Sequence, residues 1–215
     1  MNQILSDDDR GRLNRLIADI EKSKNTQIVL AIIQRSDSYA ELPWKAFALG
    51  VSITGLLVFI LNLFSLDWYS WISVLIVITF TLSGGAVFAL LTVLIPGFAK
   101  LFLSSFRAEV EVQQCAESMF LSKELFATSQ RRGILLLVSL FERKIVILPD
   151  KGMRDQLTKE TMHGIITQMT MFLKRNEITQ AFKAGLEQLS YSLETNIQGP
   201  NKNELSDEII EEKGV

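Results

Sequence analysis

The chain has 215 residues, 48% of them hydrophobic, and a mean hydropathy of +0.23, which is more apolar than a soluble domain of this length needs. Its balance of 22 positive against 24 negative residues excludes the basic footprint of a nucleic-acid binder, and one cysteine with one histidine excludes an intrachain disulfide framework or a Cys/His zinc cage. The apolar excess is concentrated, since between Lys45 and Lys100 Asp67 alone carries a formal charge.

Ser6 opens an amphipathic helix: its hydroxyl accepts from the free amides of the first turn, and Asp7, Asp8 and Asp9 complement the positive end of the helix dipole. Leu13, Leu16, Ile17 and Ile20 follow at helical spacing as one apolar stripe. Gln27 to Ile33 is a nearly continuous β-branched run, the pattern of a strand covered on both faces.

Two uncharged runs follow, 46–66 and 68–95. Each exceeds the roughly 20 helical residues that cross about 30 Å of hydrocarbon. Asp67 with Trp68, Tyr69 and Trp71 separates them, a short aromatic turn suited to the headgroup layer, so the runs read as a two-helix transmembrane hairpin ended by Pro96 and Gly97. Arg35, Lys45, Lys100 and Arg107 flank one side of it. By the positive-inside rule the flanks and both termini are cytoplasmic, in a two-pass protein of the inner membrane. The acidic N-terminal start argues against a cleaved signal peptide, and the uncharged spans offer no ion pathway.

Residues 98–128 keep helical character. Gly133 then opens a strand at Ile134 to Leu140, and Lys144 to Leu148 returns as a hairpin ending in Pro149, Asp150, Lys151 and Gly152. Two helices close the domain, one over Arg154 to Lys174 and one capped by Asn176. Strands this apolar are hidden only if helices cover both faces, so the expectation is an α/β sandwich whose first strand pairs with those after the hairpin. The organisation is then 1–44 as the first part of a cytoplasmic domain, 45–96 as the hairpin, 97–197 as the second part and 198–215 as an acidic tail. In that tail Leu205, Ile209 and Ile210 interrupt the charge. It reads either as a solvated end or as a short motif that docks on this domain or binds a partner.

The segments LSDDDRGRLNRLIADIEKSKNTQIVLAII and RRGILLLVSLFERKIVILPDKG, followed by two closing helices, resemble the TPM domain family of thylakoid and MOLO-type proteins, in the bacterial membrane subfamily with a hairpin inserted after the first strand. The resemblance implies a three-layer α/β/α sandwich with a small mixed sheet. It also implies one of three activities: acid phosphatase, calcium binding, or assistance to membrane-complex assembly. Arg132 stands where the family carries an acidic residue before the glycine of the central strand.

Asp150 and Asp155 flank a glycine turn at the end of a strand, and Asp37 follows the first strand; together they are the candidate ligands for calcium or another divalent cation. The competing reading gives Asp150 to the turn and Asp155 to the helix after it. Arg131 and Arg132 are candidates for an anion or an acidic partner, or a solvated pair. His163 and Cys115 lack a neighbour that would make either catalytic. The sequence therefore favours a non-catalytic binding or assembly module, working on the lipid bilayer with membrane-protein partners or as a homo-oligomer. A metal-dependent phosphatase or calcium module is the alternative.

Overall fold

The computed structural model describes residues 4–63, 71–128, 130–194 and 209–214. The chain divides into two compact units, Met1–Asp37 with Glu109–Val215, and Ser38–Ala108. The second unit is therefore wider at both ends than the 45–96 expected from hydropathy.

The first unit is built on a four-stranded mixed sheet. Helix α1 (Asp7–Lys24) is capped by the Ser6 hydroxyl, which accepts from the Asp9 amide at 3.2 Å, and left-handed Asn25 ends it. Strand β1 (Gln27–Ile33) is buried along its whole length. It runs parallel to β2 (Gly133–Ser139), pairing Gln27 with Gly133 through Ile33 with Ser139. Strand β3 (Lys144–Pro149) returns antiparallel beside β2. A fourth strand that the apolar pattern does not reveal, β4 (Ile210–Glu212), lies parallel on the other side of β1 and gives the order β3-β2-β1-β4.

Alternation along the strands divides the core in two. Ile28, Leu30 and Ile32 with Ile134, Leu136 and Val138 face α1, α6 (Lys159–Leu173) and α7 (Ile178–Ser192). Val29, Ala31 and Ile33 with Leu135 and Leu137 face Val112, Ala116 and Met119 of α5 (Ser105–Ser122). This is the expected α/β/α sandwich, with helices on both faces of the sheet.

The two closing helices begin later than periodicity suggests. Residues 154–158 are not helical, because Thr158 takes the cap position and accepts from the Thr161 amide at 3.3 Å. Asn176 is not a cap: its φ of 59° is left-handed, its amide donates to the Leu173 carbonyl at 3.0 Å, and Glu177 takes the cap position of α7 without a side-chain bond. Asn tolerates this conformation well, so the residue that looked like a start serves to end the preceding helix.

The second unit holds α2 (Glu41–Leu63) and α3 (Trp71–Leu94), followed by the single turn α4 (Pro96–Ala99) and a 3-10 turn at Lys100–Phe102. Both long helices are long and apolar enough to span a membrane, with hydropathy of 2.2 and 2.4. Little of either span is buried, 11% and 6%, whereas a core helix of a soluble protein hides its apolar side chains. The two helices approach closely at glycine: a Cβ on Gly85 would lie 2.6 Å from the Val51 side chain and 2.9 Å from Phe47. The Thr54 hydroxyl reaches across to the Thr81 carbonyl at 3.2 Å. The aromatic turn at Asp67, Trp68 and Tyr69 lies outside the described residues, while Trp71 begins α3.

Candidate functional site

Parallel β1 and β2 give the sheet two unlike edges, and the three candidate aspartates do not share one. Asp37 follows the C-terminal end of β1. Asp150 follows β3, which runs the other way, so it sits where β1 and β2 begin: its amide donates to the Gly133 carbonyl at 2.8 Å. The seven residues of β1 separate the two edges by about 20 Å at roughly 3.3 Å per residue. Asp155 is exposed in the segment before α6. Among the described residues no group of three or more His, Cys, Asp or Glu is placed to hold a metal ion. The three aspartates thus do not fit a shared divalent cation, which needs several oxygens converging at about 2.3–2.6 Å for calcium. The strand-end rule holds for the C-terminal ends of parallel strands, and β3 is the antiparallel return of a hairpin.

At the Asp150 edge the residues form a closed joint. Asp150, 4% exposed, accepts from Arg131 Nε at 2.8 Å and Nη2 at 3.0 Å, and from the Lys151 amide at 2.6 Å. The Gly152 amide donates to the Arg131 carbonyl at 2.9 Å. A Cβ on Gly152 would lie 2.7 Å from that same carbonyl oxygen, so the turn requires glycine for close backbone approach. Arg131 is therefore engaged by a carboxylate of its own chain. Arg132 is buried and ties β1 to the preceding helix: its guanidinium donates to the Lys24 carbonyl at 3.0 Å, and its own carbonyl accepts from the Thr26 hydroxyl at 2.6 Å and the Gln27 amide at 3.1 Å. These bonds give a structural reason for arginine where the family resemblance implied an acid.

The opposite edge is acidic and carries residues that sequence spacing could not group. Asp37, Glu111 and Glu212 line one cavity of about 520 Å³ together with Cys115 and Ser118. Beside it the Glu142 carboxylate accepts from the Ser36 amide at 2.9 Å, the Ser36 hydroxyl at 2.6 Å and the Ser139 hydroxyl. Burial, and then the charges of Glu212 and Glu142, push the Cys115 thiol above its ordinary pKa. A raised pKa shrinks the thiolate fraction at neutral pH, so alkylation of the folded chain by iodoacetamide at pH 7 should run slower than for a free cysteine and accelerate as pH rises through and beyond the usual thiol range. Reaction as fast as a free thiol at pH 7 would refute the half-buried, acid-flanked placement.

The tail residues lie on the chain itself. Ile209 is 3% exposed within the core facing α1, α6 and α7, and Ile210 packs against the core facing α5. Glu211 receives Arg10 at 2.6 Å and the Ile4 amide at 2.9 Å. Leu205 lies outside the described residues. Of the two destinations open to a docking motif, Ile209 and Ile210 occupy this domain.

Residues 100–191 match the model of the TPM domain. Over that stretch the chain is similar to the TPM domain. The match spans α5, β2, β3, α6 and most of α7; α1, β1 and β4, which complete the sandwich, lie outside it. No curated protein matches the chain. Among solved structures, the chain is similar to the NMR structure of the BA42 protein from the psychrophilic bacterium Bizionia argentinensis, with 13% identity, a TM-score of 0.58, and coverage of 98% of this chain and 97% of that one. At that identity the likeness is one of fold.

Proposed function

We propose that this protein is a membrane-anchored binding module that supports assembly or maintenance of membrane-protein complexes without turnover of its own. The observation that carries the reading is the division of the acidic candidates between two ends of the sheet, with Asp150 already engaged by Arg131 and the Lys151 amide. The phosphatase and calcium readings both need converging oxygens. The anchor would be α2 and α3, whose length and hydropathy suit a bilayer; Arg35, Lys45, Lys100 and Arg107 flanking the spans favour cytoplasmic termini in an inner membrane.

The test is mass spectrometry of what co-purifies with the full chain from gentle detergent. A stoichiometric membrane-protein partner is the expected result. A chain that emerges alone, and whose melting temperature rises on titration with calcium, would replace this reading with the calcium module, because a ligand that binds the folded state stabilises it.

A further inference from the structure

Strand β3 ends the sheet with its outer side unpaired by any described strand. The Asp150 amide bond to the Gly133 carbonyl fixes which groups face outward. In an antiparallel ladder hydrogen-bonded pairs alternate, so residues 144, 146 and 148, like Asp150, turn their amides toward β2. Ile145 and Ile147 then direct both N–H and C=O away from the sheet, and Pro149 contributes a carbonyl but no donor, which limits how far a strand can be added. This edge is not an open flank. It forms the floor of a groove of about 540 Å³ between α5 and α6, with Val112 on one wall and Met162 and Ile166 on the other. The charged rim is uneven: Arg143, Lys144 and Lys159 line it against Glu109, and Glu109 already faces Lys144 at 3.4 Å.

We propose that this groove is a docking site for an extended acidic segment of a partner protein, which adds to the sheet as a strand beside β3. The proposal rests on the binding-module reading above and names its site. Main-chain bonds to Ile145 and Ile147 supply affinity without sequence demands. Side chains alternate across a strand, so every second residue of the guest meets the apolar wall of α6. Carboxylates on the guest meet Arg143 and Lys159, which selects acidic segments and speeds their encounter. Lys144 and Pro149 guard the edge against unlimited pairing, and the two flanking helices restrict it to a single guest strand.

Binding is read by fluorescence anisotropy on the full detergent-solubilised chain with three labelled short peptides: alternating valine and glutamate, alternating valine and lysine, and the glutamate peptide N-methylated at the amides of one edge. Saturable binding of the first, at least about tenfold tighter than the other two, is expected, with added salt weakening it. Arg143→Glu combined with Lys159→Glu changes exposed side chains and should reverse the preference toward the lysine peptide. Should that pair perturb folding, Lys159→Gln alone is expected to weaken glutamate-peptide binding. Undiminished binding of the methylated peptide, or a charge preference that neither variant moves, overturns the proposal. So does a dimer of the chain that charge reversal dissociates, since a second copy would then own the edge. A co-purified membrane protein retained undiminished by the charge-reversed chain overturns the groove and leaves the binding-module reading standing, whereas peptide binding by a chain with no cellular partner upholds the groove and defeats that reading.

Discussion

Ending the chain before Ile209 is expected to destabilise the sandwich by about 4 kcal/mol. Burying an isoleucine contributes roughly 1.5–3 kcal/mol, and Ile209 is 3% exposed. Net backbone hydrogen bonds contribute about 0.5–1.5 kcal/mol each and those to a charged group about 1.5–3 kcal/mol, and the tail supplies both kinds: the Gln34 amide donates to the Glu212 carbonyl at 3.1 Å, and Glu211 receives both Arg10 and the Ile4 amide. Against a total stability of about 5–15 kcal/mol for a domain, a loss of that size separates a fourth strand from a decoration. Hydrogen exchange gives the local readout: peptides covering Ala31 to Gln34 should lose protection in the truncated chain while those covering β3 keep more of theirs. Gly214→Ala, two residues beyond β4, is a gentler probe of the same segment, because its φ of 72° disfavours a side chain and a Cβ there would strike the Arg35 carbonyl. Unchanged exchange at Ala31 to Gln34 in the truncated chain would refute the pairing.

The tail also shows how far the fold was legible in the sequence. Strands β1 and β2 announce themselves because both of their faces are buried, so their apolar runs are almost unbroken, and Ser6 announces α1 because its hydroxyl and the three aspartates act within one turn of chain. Strand β4 gives no such signal: Ile210–Glu212 is three residues long with two carboxylates, and what holds it is Arg10 at the far end of the sequence. The hairpin of β2 and β3 was legible, but a rule for parallel strands was applied to its return strand. Asp150 ends a strand, and ligands gather at the C-terminal ends of parallel strands; β3 is antiparallel, so Asp150 instead meets Gly133 at the start of β2. The acidic edge was illegible for a different reason. Asp37, Glu111, Glu142 and Glu212 come from separate stretches of chain, and only the closing of the sandwich groups them. Asn176 misled through its chemistry, since the short polar side chain that suits a helix cap equally suits the left-handed residue that ends the helix before.

Asp150→Ala is expected to lower stability by about 2 kcal/mol, as read from the urea midpoint of the detergent-solubilised chain. The carboxylate is buried and accepts three bonds, two from Arg131 and one from the Lys151 amide. Removing it strands a turn amide and releases a guanidinium, and losing one member of a buried charged pair costs a few kcal/mol. The Arg131 side chain is 54% exposed, so water takes over its solvation and the cost falls toward the lower end of that range. The reciprocal variant, Arg131→Ala, leaves the Lys151 amide bond in place but strips the nearly buried Asp150 carboxylate of its cation, so it is expected to cost about 2 kcal/mol as well. A metal-ligand role predicts the reverse signature. There Asp150→Ala would keep native stability in calcium-free buffer and abolish any calcium-dependent stabilisation or phosphatase activity, because a ligand aspartate in an empty site contributes repulsion rather than cohesion. A structural Asp150 loses stability in calcium-free buffer by the same amount as in calcium, so the pair of urea midpoints with and without the ion decides between a joint that holds the start of β2 and a site that holds a cation.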